Sequence, residues 1–432
     1  ESRKSVGIRP QAARRASICV VGGPQFDAVA AETERMMRVG ILGHAFVDWG
    51  GGIDFLRGVV ASLHEVRPEL EMHMVVPDSL LRPPMVRLYR RVMRKDLKVN
   101  VPPAASHLDE LVSSLGGAIT IHRVAPDRYA LAHLARALSL DVLIPAHNPL
   151  PADFPFPWIG YIADFQHRYL PQFFSKEECR SRDVHFAAML TRAKTVIVGS
   201  QAAAKDAKRL YPGSEAKIFS LPFNAAPQSG WLESTSDMAS RYGIRGRYFL
   251  ISNQFWRHKD HRTAFAAFAV AATRYPDIQL VCTGSTADYR DPQHFPSLQQ
   301  FLRDQGIGNR VHILGMIPKL DQVGLMRSSL ALLQPTLFEG GPGGQAVYDA
   351  VSLGVRCLVS DIEVNRELHD PLVKFFSAGN AVDLANQMMA TIDQPCHSVP
   401  DIKSLRQSGA ARRAACGLTL LESIDHVRSN RT

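Results

Sequence analysis

The strongest constraint on what this chain can fold into is residues 335–354, PTLFEGGPGGQAVYDAVSLG. The apolar run Leu330–Leu333 stops just before it. Beyond Glu339 and four glycines, Ala346, Val347, Ala350, Val351 and Leu353 recur at helical spacing. A strand, a glycine-rich turn and a helix in that order belong to a doubly wound α/β sheet, whose ligands bind at the carboxyl edge of the strands. Glycines there let backbone N–H groups at a helix start approach an anion closely, so a phosphate-bearing ligand is expected. Glu339 and Asp349 flank the turn as acceptors for sugar or ribose hydroxyls. An alternative reading gives both acids local work, Glu339 capping a turn and Asp349 favouring the helix dipole.

The chain has 432 residues, 46% hydrophobic and 21% charged, which is enough for two domains with separate cores. No run of eighteen apolar residues occurs, so no transmembrane helix is expected. Cys19, Cys179, Cys282, Cys357, Cys396 and Cys416 form no C-x-x-C pair and read as thiols of a reducing compartment. A net charge of +9 favours an anionic partner: nucleotide, acidic membrane or nucleic acid.

Residues 1–36 are basic and turn-rich and read as an N-terminal extension without stable order. Their arginines suit a targeting peptide, but the apolar stretch of a secretory signal is missing. From Met37 the pattern is a strand, RVGILGHAF, then the glycines Gly50–Gly52, then a helix with Phe55, Leu56, Val59, Val60 and Leu63 on one face. Pro83 and Pro84 open a segment, residues 85–98, with Met85, Leu88, Tyr89, Val92 and Met93 along one side and arginines and lysines over most of the rest. That pattern fits a helix lying on an anionic membrane surface, or a surface helix packed on its own domain. Nucleic acid is disfavoured because no aromatic platform accompanies the charge. Two further apolar strands end in polar clusters, the first at His147 and the second at Asp164, Gln166 and His167. Residues 224–236 have linker composition, and a new alternation of strands and helices begins at RYFLISNQFWRHKDH.

EGGPGGQAVYDA, with Gly354 and SDIEVNRE at 360–367, resembles the acid–glycine-loop–acid signature of family 4 glycosyltransferases, retaining enzymes of the GT-B fold. The resemblance spans Met37 to about residue 395. It departs from the family in having Asp349 for the usual Glu, two positions further from the first acid than in the common pattern. What it implies is a cleft between two Rossmann-like domains, residues 37–225 on the acceptor side and 226–404 binding the nucleotide sugar, with residues 405–432 as a helix and tail crossing back. Glu339 and His147 would orient the transferred sugar. Gly51, Gly341, Gly343, Gly344 and Gln345 would meet the donor diphosphate, Asp349 the ribose, and the backbone at Gly315 and Ile317 the base. The family's Arg–Lys pair for the leaving diphosphate is matched by Lys259, while Asn253 stands where the Arg belongs, so Arg257 is expected to supply the second cation. Trp49, Asp54, Asp164, Gln166 and His167 would face the acceptor.

No D-x-D metal clamp stands out, and neither a cofactor nor an essential metal is expected. The implied reaction moves a hexose from a nucleotide sugar, GDP-mannose first, to a lipid-linked or saccharide acceptor of bacterial surface polysaccharide synthesis. It would take place in the cytoplasm or at the inner face of the plasma membrane. A binding or scaffold protein of the same fold, a sugar-nucleotide epimerase and a phosphorylase remain as alternatives.

Overall fold

The computed structural model describes residues 36–47, 50–77, 119–125, 127–233, 237–394 and 400–429. Trp49, residues 85–98 and residues 1–35 lie outside the described residues.

The first half is a sheet of seven strands. β1 (Arg38–Leu42), β2 (Glu71–Pro77), β3 (Thr120–Val124), β4 (Val142–Ala146), β5 (Trp158–Ile162), β6 (Thr195–Val198) and β7 (Lys217–Ser220) lie in the order β3-β2-β1-β4-β5-β6-β7. Every neighbouring pair is parallel. β4, β5 and β6 are buried along their whole length, which is why they read as continuous apolar runs without alternation. Strand order reverses between β1 and β4, so the chain leaves a crevice beyond their carboxyl ends. Helix α1 (Gly50–Val66) covers one face with Leu56, Val59, Val60 and Leu63 in the core. Gly50–Gly52, expected as a turn before this helix, form its first turn. α2 (Arg128–Ala137), α3 (Lys176–Arg192) and α4 (Gln201–Leu210) follow. Ser175 opens α3 through a capping box with Glu178.

The second half repeats the plan with β8 (Tyr248–Ser252), β9 (Gln279–Thr283), β10 (Val311–Gly315), β11 (Leu332–Gln334), β12 (Cys357–Ser360) and β13 (Val373–Phe376). Their order is β10-β9-β8-β11-β12-β13, again all parallel. The reversal falls between β8 and β11, the strand that leads into the glycine turn. α5 (His261–Arg274), α6 (His294–Asp304), α7 (Lys319–Arg327), α8 (Gly344–Ser352) and α9 (Ala381–Asp393) accompany these strands. The stretch with linker composition is built in: Ala225, Trp231 and Leu232 are buried in one core with β8, α7 and α8.

The last helix, α10 (Ile402–Ser429), returns to the first half, as expected for the fold. Leu405 is buried with the second half, whereas Cys416, Leu420, Ile424 and Val427 complete the core of the first sheet against α1. The two helix backbones approach so closely that a Cβ at Gly417 would stand 2.1 Å from the Ser62 carbonyl oxygen. Among the described residues no helix is long and apolar enough to cross a membrane.

Candidate active site

The two crevices face each other across one cavity of about 620 Å³, lined by residues from both halves. That is the size of a site for a nucleotide-sized ligand.

Its centre is the pair Lys259–Glu339. A 3-10 turn after β8 carries Lys259, the turn after β11 carries Glu339, and Lys259 Nζ donates to Glu339 Oε1 at 2.5 Å, with both side chains about nine-tenths buried. Glu339 also accepts from Gln334 Nε2 at 3.0 Å, and Gln334 Oε1 accepts from Asn253 Nδ2 at 2.7 Å. Asn253, in the place of the family's arginine, is thus a buried neutral link in the chain that holds Glu339. The Leu337 N–H donates to the His258 carbonyl at 2.7 Å and ties the two turns together. Burial, aided by the charges of Lys259 and Arg290, pulls the His258 imidazole down to about 2, so it stays neutral.

The glycine turn is clamped from outside the cavity. Gly343 N–H donates to Asn365 Oδ1 at 2.7 Å, and Asn365, itself fully buried, is anchored on the Ser360 carbonyl at 2.9 Å. Gly343 is therefore part of the scaffold, while Gly341, Gly344 and Gln345 line the cavity at the start of α8. A Cβ on Gly340 would stand 2.3 Å from the Ala163 carbonyl oxygen, and Ser200 Oγ donates to the Gly340 carbonyl at 2.9 Å. Glycine here lets the turn lie against the end of β5. Glu367 reinforces the contact by accepting from the N–H groups of Gln201 and Ala202 at 2.8 and 2.7 Å, at the start of α4.

Asp349 is 3% exposed and is not a free acceptor. Lys319 Nζ meets its Oδ2 at 2.5 Å and Gln345 Nε2 its Oδ1 at 2.9 Å. Burial works against the charge of Lys319, yet the carboxylates of Asp349 and Asp54 hold its ammonium above the ordinary lysine value. Asp54 reaches this cluster from α1, where it pairs with Arg57.

Of the other expected residues, Gly51, Asp164 and Gln166 line the cavity from the first half. His147, Arg257, His167, Gly315 and Ile317 are not among the lining residues. His147 stands edge-on to Phe46 at 5.6 Å, and its carbonyl faces His185 Nε2 at 3.0 Å. Burial lowers its imidazole below the ordinary histidine value. His167 is buried with Nε2 2.8 Å from Asp183 Oδ1. Gly315 accepts from the Gly284 N–H at 2.9 Å, Ile317 packs on the second core, and Met316 between them faces the cavity.

Arg257 is displaced because its guanidinium pairs with Asp291 at 3.2 Å and lies over Phe173, on the rim. The cation that lines the cavity beside Trp256 is Arg290, which pairs with Asp288 at 2.9 Å. Lys319 and Asn365 escaped the sequence reading because each acts through a partner far along the chain, and Arg290 because its partner Asp288 lies in the same irregular loop. The one signal available for Arg290 was its place in the turn after β9, at the carboxyl edge of the second sheet.

Sucrose-phosphate synthase from Thermosynechococcus elongatus is 13% identical at a TM-score of 0.57, covering 91% of this chain and 94% of that one. HepE of Anabaena, solved in complex with UDP and glucose, is 15% identical at a TM-score of 0.55, covering 91% and 98%. A glycosyltransferase from Rickettsia africae is 11% identical at a TM-score of 0.60, covering 91% and 99%. The fold is GT-B. Residues 242–410, which contain Lys259, Glu339 and the glycine turn, match the family model of glycosyl transferases group 1. No curated protein matches the chain in sequence.

Proposed function

We propose that this protein is a retaining glycosyltransferase that moves a hexose from a nucleotide sugar to a lipid-linked or saccharide acceptor. The observation that carries the reading is the Lys259–Glu339 pair, held at 2.5 Å beside the glycine start of α8 in a cavity shared by two Rossmann-like halves. A donor diphosphate at that helix start meets backbone N–H groups and the positive end of the helix dipole. Lys259 then neutralises the charge that develops on the leaving group, as electrostatic stabilisation requires. Glu339, released from part of its contact with Lys259, accepts from the hydroxyls of the transferred sugar. Asp349, fixed by Lys319 and Gln345, takes the ribose side.

In this reaction the bond from the anomeric carbon to the diphosphate oxygen breaks and a bond from the same carbon to the acceptor oxygen forms on the same face. The acceptor proton passes to the departing diphosphate, so no side-chain nucleophile is needed. GDP-mannose is the first donor to test, from the resemblance to surface-polysaccharide enzymes, and HepE, solved with UDP and glucose, makes UDP-glucose the second. The basic, amphipathic sequence pattern of residues 85–98 favours an acceptor presented at an anionic membrane surface.

The test is a thermal-shift screen of the full chain with UDP, GDP, ADP and their common sugars. One nucleotide family should raise the melting temperature by mass action, and the matching sugar nucleotide should slowly release nucleoside diphosphate. If no nucleotide stabilises the protein, the reading is wrong and the scaffold alternative replaces it.

A further inference from the structure

Among the described residues, one cation of the cavity stands apart from the others in having no bonded partner. Six basic side chains line it, and four of them are paired: Lys259 with Glu339, Lys319 with Asp349, Arg57 with Asp54 and Arg290 with Asp288. Arg413, on α10, donates to the Pro227 carbonyl at 3.1 Å. Arg182, on α3 of the first half, forms no ion pair and no hydrogen bond among the described residues. Its guanidinium lies 4.7 Å over the ring of Phe174, and that of Arg290 from the second half lies 5.6 Å from the same ring. Two guanidinium groups from opposite halves therefore converge on one aromatic ring at the cavity wall. The nearby acid on α3, Glu178, feels the charge of Arg182 but gives its oxygens to the capping box with Ser175 and to the Tyr289 hydroxyl. A guanidinium that stacks through its face keeps its N–H edge for bidentate pairing with a carboxylate or phosphate. Asp288 takes that edge of Arg290, with Oδ1 at 2.9 Å from Nε and Oδ2 at 3.2 Å from a terminal nitrogen, and nothing takes that of Arg182.

We infer that Arg182, through the N–H edge that no other described group takes, binds an oxyanion carried by the acceptor, so that the acceptor is a phosphorylated or carboxylated sugar. This rests on the transferase reading and adds the acceptor's chemical class. Arg182 belongs to the half that carries the acceptor side, while the diphosphate has Lys259 and the start of α8.

The test is calorimetric titration of the full chain, saturated with the nucleoside diphosphate that stabilises it. Four probes are used: glucose, glucose 6-phosphate, glucuronate and glucose 1-phosphate. At least one anionic probe should bind tenfold or more tightly than glucose, and Arg182→Gln should abolish that preference while leaving nucleoside diphosphate affinity unchanged. Arg180→Gln, an exposed change on the same helix, should leave the preference intact. A preference for glucose 1-phosphate points to a sugar linked through an anomeric phosphate, as on a lipid carrier, and one for the 6-phosphate or the uronate to a free anionic sugar. If no anionic probe binds better than glucose, the inference is overturned. If Arg182→Gln weakens the nucleoside diphosphate itself, Arg182 belongs to the donor site and the inference again fails. Should no nucleoside diphosphate bind at all, the transferase reading and this inference fall together, which separates that outcome from the other two.

Discussion

The two halves of this molecule share one plan and prepare their share of the site differently. In the second half the polar groups are bound to one another before any ligand arrives. Asn253, Gln334, Glu339 and Lys259 form one chain, Lys319, Asp349 and Gln345 another, and Asn365 clamps the glycine turn. In the first half, apart from the Asp54–Arg57 pair, the lining groups are held more loosely: Asp164 accepts one backbone N–H, from Gln166, and Arg182 has only an aromatic ring beneath it. Buried polar networks that are fully satisfied rigidify a site. Under the proposed transferase reading, the pre-formed second half would take the invariant ligand part, the nucleoside diphosphate, and the first half the acceptor.

The largest effect should come from breaking the pre-formed side at its centre. Glu339→Gln keeps the shape of the side chain but removes the charge that Lys259 faces. Donor turnover, followed as nucleoside diphosphate release, should fall on the order of 10²-fold or more, as for removal of one stabilising group in a preorganised site. Next is Lys259→Gln, which should weaken nucleoside diphosphate binding by roughly ten- to a hundredfold, the worth of one charge-assisted hydrogen bond. Arg257→Gln sharpens the contrast. Its guanidinium is spent on Asp291 at the rim, so calorimetry should show nucleoside diphosphate affinity within about twofold of the parent protein, in line with the small worth of exposed pairs.

The seam between the halves gives a smaller effect, on stability. Gly340→Val drives a side chain against the Ala163 carbonyl and should lower unfolding free energy by about 1–3 kcal/mol, read by chemical denaturation. The last is a pH effect, carried most strongly by two buried histidines of the second half. Burial holds His258 near 2 and His261 near 3, both below the ordinary histidine value of about 6.5. The unfolded chain therefore binds more protons on acidification, and stability is present at neutral pH and lost as pH falls below about 6.5. Each imidazole should contribute a slope of about 1.4 kcal/mol per pH unit in that range. His258→Asn should flatten the profile, measured as melting temperature against pH.

Much of the second half was legible from its residues because its chemistry is local in sequence. Glu339, the four glycines and the apolar face of α8 lie within twenty residues, and a strand, turn and helix in that order admit few folds. The α/β class and the placing of Lys259 and Glu339 at strand ends followed from such short-range patterns, and the crossing of the last helix onto the first half from the family resemblance. What escaped was whatever depends on pairing at a distance. Arg257 shares its polar turn with Lys259, and only Asp291, 34 residues later, draws it away from the cavity. Asp349 reads as a free acceptor until Lys319, thirty residues earlier, is seen to occupy it. Residues 224–236 have the composition of a linker, yet Trp231 finds a core whose strands come later in the chain.

The measurement that tests the central claim most directly is the affinity of the full chain for the stabilising nucleoside diphosphate, compared by calorimetry among the parent protein, Lys259→Gln and Arg182→Gln. A donor site pre-formed in the second half predicts a loss of roughly tenfold or more for Lys259→Gln and none for Arg182→Gln. Equal losses in the two variants would mean that the diphosphate is held by both halves together, and would contradict the division of labour drawn here.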